Sequence, residues 1–128
     1  MHCTKYCFVL TVFLFLEGCK KDADGQKDTD LPKITMTSPT ANQVFAVGGA
    51  VSIGADITDN TKLREVHLEI INSNTATLLT HEHYVPGGAA YTLARTFTAQ
   101  AATSYKIIVD AIDDSGNKAK VETTIFVN

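Results

Sequence analysis

The stretch Tyr105-Lys106-Ile107-Ile108-Val109-Asp110-Ala111-Ile112-Asp113, followed by Asp114-Ser115-Gly116-Asn117, decides how this chain folds. Tyr105, Ile107, Val109 and Ala111 recur at every second position, so an extended backbone lines them along one face. Branched side chains fill much of the run and favour a strand over a helix. Asp-Asp-Ser-Gly-Asn then breaks the pattern, with Gly116 free to take a positive φ. Ala119, Val121, Thr123, Ile125 and Val127 resume the alternation, so the two runs read as neighbouring strands.

The same period continues outward toward the N-terminus. Leu63–Ile71 sets Val66, Leu68 and Ile70 inward and Glu65, His67 and Glu69 outward. Ala50–Asp59 aligns Val51, Ile53, Ala55 and Ile57, and Lys33–Thr37 aligns Ile34 and Met36. Val44–Val47 is a short segment closed by Gly48-Gly49. Ala76–Val85 runs up to Pro86-Gly87-Gly88, and Ala90–Thr98 carries Tyr91, Leu93 and Phe97 on one side. No segment has helical spacing. About seven strands with turn signals every ~8–12 residues predict an all-β fold, an immunoglobulin-like or fibronectin-III-like antiparallel β-sandwich over residues 32–128. A small barrel is the alternative. Tyr105 opens the penultimate strand, where a tyrosine corner belongs.

The chain has 128 residues, 11 basic and 14 acidic, for a net charge of −3. A weakly acidic domain argues against nucleic acid as a partner. Its first 18 residues differ from the rest. Lys5 stands before the apolar run Cys7–Leu16, which as a helix would span about 15 Å, half of a ~30 Å hydrocarbon core. Residues 1–18 therefore read as a cleaved export signal. The run ends in Leu16-Glu17-Gly18-Cys19, which resembles the lipobox of bacterial lipoproteins. Glu17 departs from the pattern, where a small or apolar residue is usual. The resemblance implies a diacylglyceryl group on the Cys19 thiol and Cys19 as the first mature residue. Cys3 and Cys7 leave with the signal, so no intramolecular disulfide can form. Residues 19–31 then read as a disordered acidic tether, too polar to bury surface. Its acidic pattern resembles the surface-export signal of Bacteroidetes-type lipoproteins, which implies the outer membrane, at the cell surface or on the periplasmic face.

The strings Val51-Ser52-Ile53-Gly54-Ala55-Asp56-Ile57-Thr58-Asp59-Asn60 and Tyr105–Asn117 resemble bacterial Ig-like domains. Signal, tether and single domain together resemble small Bacteroidetes-type lipoproteins of unknown function. These motifs are core and turn residues, so the resemblance implies a fold and no catalytic residue. No Gly-x-Ser-x-Gly, His-Glu-x-x-His or phosphate-binding glycine loop is present. The sequence therefore predicts no enzyme.

Two groups of residues hold chemistry in reserve. His67, His81 and His83 fall on consecutive strands, and a hairpin through Asn72–Thr75 would set His67 opposite Thr80 or His81. Imidazoles beside carboxylates suit Zn²⁺ or Cu²⁺, with Glu69 or Glu65 as the fourth ligand. A solvated polar face is the competing reading, and a one-residue slip in register would part the two strands' histidines. In this fold the loops after Ile57 and Ile112 share one end, so Asp59, Asn60, Asp113, Asp114 and Asn117 form an alternative Ca²⁺ set. Asp-Asp-Ser-Gly-Asn is equally ordinary turn chemistry. The functional expectation is a membrane-anchored, non-enzymatic binding or adhesion module for a protein or glycan. The alternatives are a divalent-metal-binding lipoprotein and a passive subunit of an envelope complex. Tyr84 is the aromatic residue most available to a glycan platform, since Tyr91 is expected in the core.

Overall fold

The computed structural model describes residue 25 and residues 27–128. The export signal, the Leu16-Glu17-Gly18-Cys19 motif and most of the acidic tether lie outside the described residues. Eight strands follow: β1 (Lys33–Ser38), β2 (Val44–Phe45), β3 (Ala50–Thr58), β4 (Leu63–Asn72), β5 (Thr77–Tyr84), β6 (Ala90–Thr98), β7 (Ser104–Asp113) and β8 (Lys118–Val127). There is no helix among the described residues, and hence none long and apolar enough to cross a membrane. One sheet has the order β1-β3-β6 and the other β2-β8-β7-β4-β5. Neighbours are antiparallel except β2, a two-residue strand that runs parallel to the end of β8.

Alternation builds the core. Val51, Ile53, Ala55 and Ile57 of β3 face Val66, Leu68 and Ile70 of β4 and Tyr105, Ile107, Val109 and Ala111 of β7, all buried. Leu93 and Ile125 complete the layer, and Ile34, Met36, Tyr91 and Phe97 pack against it. β7 is buried on both faces. Ile108 and Ile112 point outward yet are 4% and 9% exposed. Ile108 sits opposite Glu122, whose carboxylate pairs with Lys106 and Lys120 at 3.5 Å each.

Two local features fix the frame. The Tyr105 hydroxyl donates to the Ala101 carbonyl and accepts from the Ala101 amide, both at 3.2 Å, which is the expected tyrosine corner. At Gly54 a Cβ would lie 2.5 Å from Thr37 Oγ1, where β1 bulges between Met36 and Ser38. Glycine inside this strand thus leaves room for the Thr37 and Ser38 hydroxyls.

The registers also sort the loops. Lys33 pairs with Thr58, Leu63 with Asp113 and Ile112 with Lys118, so the β3–β4 and β7–β8 loops gather where the chain enters the domain. The β4–β5 and β6–β7 loops and the C-terminus gather at the far end, joined by bonds such as Ser73 N to Ser104 O and Val127 N to Thr103 O.

Candidate functional site

The outer face of the β4–β5 hairpin holds the first cluster. Period two puts Glu65, His67 and Glu69 on that face, as expected. The turn is an Asx turn, in which Asn72 Oδ1 accepts from the Asn74 and Thr75 amides at 3.0 and 3.3 Å. Ala76 completes it with a φ of 54°. The chain returns with Thr77 opposite Asn72, and Leu79 is then an extra residue, because Ile71 pairs with Leu78 and Ile70 with Thr80. This bulge shifts the register. His67 stands opposite His83 and Glu69 opposite His81, which corrects the expected pairing of His67 with Thr80 or His81. Relative to a His67–His81 pairing the slip is two residues, so the histidines keep their common face.

The new register changes the membership of the cluster. Glu65 Oε2 lies 3.2 Å from His67 Nε2 and 4.0 Å from His83 Nε2. The ligand atoms of Glu65, His67 and His83 all fall within 4.8 Å of one another. The His67 and His83 rings meet edge to face at 4.8 Å between centroids. His81 stays beside the group, its ring 5.5 Å from that of His67, and Glu69 opposite it is likewise outside the convergent set. The expected His67, His81, His83 and Glu69 thus become Glu65, His67 and His83. The hydrogen bond from His67 holds the Glu65 carboxyl below its ordinary range, helped by the Arg64 guanidinium and by His83. Arg64 Nε reaches the other carboxylate oxygen at 3.2 Å.

The second cluster lies where the chain enters the domain. The Asp28, Asp59 and Asp113 carboxylates converge within 4.8 Å, and Asp113 is fully buried. Of the expected calcium set, Asp59 and Asp113 come together. Asn60 and Asn117 act instead as donors: Asn60 Nδ2 to Asp28 Oδ1 at 3.0 Å and Asn117 Nδ2 to Asp113 Oδ2 at 2.7 Å. Asp114 turns to Lys62, 3.7 Å away. Asp28 arrives from the stretch read as tether and also accepts from Thr61 Oγ1 at 3.0 Å, while its carbonyl accepts from Asn117 Nδ2 at 3.1 Å. The bond from Asn60, then the Asp30 amide and Thr61, hold the Asp28 carboxyl below its ordinary range. Asp59 Oδ2 accepts from Thr61, and its buried Oδ1 has no partner among the described residues.

Two further features escaped sequence reasoning. Glu82 on β5 receives Arg95 Nε of β6 at 2.6 Å and the Tyr84 hydroxyl, which ties the two sheets along their open edge. Burial and that carboxylate push the Tyr84 hydroxyl up to about 12. Tyr84, the residue named for a glycan platform, has its hydroxyl engaged by Glu82 and its ring 5.6 Å from that of Tyr91. At the far end a cleft of about 480 Å³ opens between the sheets, lined by Asn72, Leu79, Phe97, Gln100 and Tyr105 among others. No charge pattern marked it, because its walls come from β4, β5, β6, β7 and the β6–β7 loop.

Fold and side chains define an Ig-like sandwich with a polar hairpin face. Residues 32–109 match the family model for the bacterial Ig domain, and the chain belongs to that family. No curated protein matches. Among solved structures, the fibronectin(III)-like modules of Clostridium thermocellum CbhA are 21% identical over 74% of this chain and 94% of theirs, with a TM-score of 0.52. Superoxide reductase (neelaredoxin) from Ignicoccus hospitalis is 13% identical over 77% of this chain and 81% of its own, with a TM-score of 0.56. A CARDB domain from Pyrococcus furiosus, solved in complex with di-metal ions, is 11% identical over 77% of this chain and 86% of its own, with a TM-score of 0.51. A module and an enzyme share this fold, so the fold alone assigns no chemistry.

Proposed function

We propose that the protein is a lipid-anchored envelope protein whose Ig-like domain is a non-enzymatic binding module held by its N-terminal end. The observation that carries this reading is the fastening of Asp28 across the β3–β4 and β7–β8 loops, through Asn60, Thr61 and Asn117. An anchor at Cys19 would then hold these loops toward the membrane. The far end, with its cleft of about 480 Å³, would be held away from it. That volume lies in the ~300–1,000 Å³ range of small-ligand sites. Its Phe97, Tyr105 and Leu79 walls and its Gln100 and Asn72 amides suit a protein segment or a sugar with an apolar edge. The outer membrane is the proposed location, from the acidic stretch after Cys19.

Fractionation of cells expressing wild type and Cys19→Ala tests the anchor. The wild type should sediment with membranes and the variant should stay soluble; a soluble wild type would remove the lipid-anchor reading. Protease added to intact cells separates the two leaflets. Cleavage near Lys20, Lys21 or Lys27 places the domain at the surface, and full protection places it in the periplasm.

A further inference from the structure

We propose that Glu65, His67 and His83 form a surface site for a borderline divalent transition ion, with Zn²⁺ as its simplest occupant. Two imidazoles and one carboxylate are the donor set that such ions select over Mg²⁺ or Ca²⁺, which prefer oxygen alone. The three donors come from two strands in fixed register, so the backbone has already brought them together. Their present separations are 3.2 Å and 4.0 Å from Glu65 Oε2 to the two imidazole nitrogens, with every pair inside 4.8 Å. Zinc–ligand bonds of roughly 2.0–2.2 Å in a tetrahedron require donors about 3.3–3.5 Å apart. Small side-chain rotations close that difference, and no strand has to move.

The surroundings favour an ion that exchanges over one that is locked in. His67 and Glu65 keep 26% and 30% of their side-chain surface exposed, and His83 keeps 51%. A fourth position therefore opens outward to water or to a donor from a partner molecule. Three protein ligands and one open position are the pattern of sites that do something with the ion, whereas structural zinc sites are closed. Asp110 stands opposite His67 on β7, on the side away from His83, and Lys120 stands opposite Asp110 on β8. These two neighbours largely offset each other in charge. Binding would also clip β5, an edge strand, to β4. The site rests on the hairpin alone and stands whether or not Cys19 carries lipid.

The test uses the full chain, freed of metal with a chelator and titrated with Zn²⁺ by calorimetry. Wild type is compared with His67→Ala, His83→Ala, His81→Ala and Glu69→Gln. All keep the same cysteines, so thiol binding is a common background. One event should weaken at least about tenfold in His67→Ala and His83→Ala. It should persist in His81→Ala and Glu69→Gln, which lie outside the convergent set. With Cu²⁺ as probe, electron paramagnetic resonance should show coupling to two imidazole nitrogens in wild type and to one in His83→Ala. Circular dichroism of each metal-free variant confirms that the strands persist. Equal Zn²⁺ binding by wild type and His83→Ala overturns the proposal. So does a loss in His81→Ala as large as that in His83→Ala.

Discussion

The outer face of the β4–β5 hairpin and the clasp where the chain enters the domain are both clusters of ionisable side chains, built in opposite ways. On the hairpin, strand register sets three donors side by side, and water reaches all of them. In the clasp, loops and an incoming segment wrap a fully buried carboxylate, Asp113, in donors from Asn117. The contacts of the first cluster are exposed and can be exchanged for a ligand. Those of the second tie an incoming segment and two loops together. Removing a side chain should therefore cost stability in the clasp and leave it almost untouched on the hairpin.

The largest effect breaks the frame on which both clusters rest. Val109 is fully buried on β7, opposite Leu68 and Val121. Val109→Asp strands a charge there and should cost about 3–5 kcal/mol. A domain of this size holds only ~5–15 kcal/mol, so the thermal transition followed by circular dichroism should fall sharply or vanish. A variant that melts like wild type would reverse the faces of β7.

Asp113→Ala sharpens the contrast at intermediate cost. It leaves the Asn117 backbone amide without its acceptor and the side-chain nitrogen with the Asp28 carbonyl alone, at about 1–3 kcal/mol. Urea unfolding should show the lower midpoint, and amide exchange should speed up at Asn117 while β4 and β5 stay protected. Glu65→Ala, exposed on the hairpin, should leave the urea midpoint nearly unchanged. Equal losses in the two variants would erase the distinction.

Acid gives the smallest effect and touches both regions. Asp28 in the clasp, Glu65 on the hairpin and Glu82 at the sheet edge all have carboxyls held below their ordinary range, each chiefly by a side-chain hydrogen bond. The unfolded chain binds these protons more readily, so acid favours it. Their stabilisation is full above about pH 4.5 and drains away as pH falls through the lowered values. Melting temperature should be flat from neutral pH to about 5 and then decline. Asn60→Ala, which removes the main partner of Asp28, should make that decline shallower. An unchanged acid profile in Asn60→Ala would exclude Asp28 as a contributor.

Much of this molecule was legible from residue types at period two. Val51, Ile53, Ala55 and Ile57, then Val66, Leu68 and Ile70, then Tyr105, Ile107, Val109 and Ala111 are all buried as the alternation requires. Gly116 takes its positive φ of 88°, and Tyr105 makes its corner. The candidate metal site was legible as a face and a hairpin, but not in its membership. Leu79 bulges out of β5, and nothing in the local run Thr77-Leu78-Leu79-Thr80 announces it. Without that one residue Glu82 would stand opposite His67; with it His83 does, on the face that already holds Glu65.

Sequence alone determined which face of each strand turns inward, because a strand's side chains alternate whatever its neighbours do and burial rewards one face. It also determined the placing of the turns, which local residue preferences decide; the expected seven or so strands are eight, counting the two-residue β2. Tertiary structure decided which residues meet across strands and loops. Asp28 reaches Asn60, Thr61 and Asn117, and Glu82 reaches Arg95, only because separate segments pack together. Such contacts depend on register, bulges and the stacking of two sheets, quantities that belong to the assembled backbone and to no short stretch of the chain.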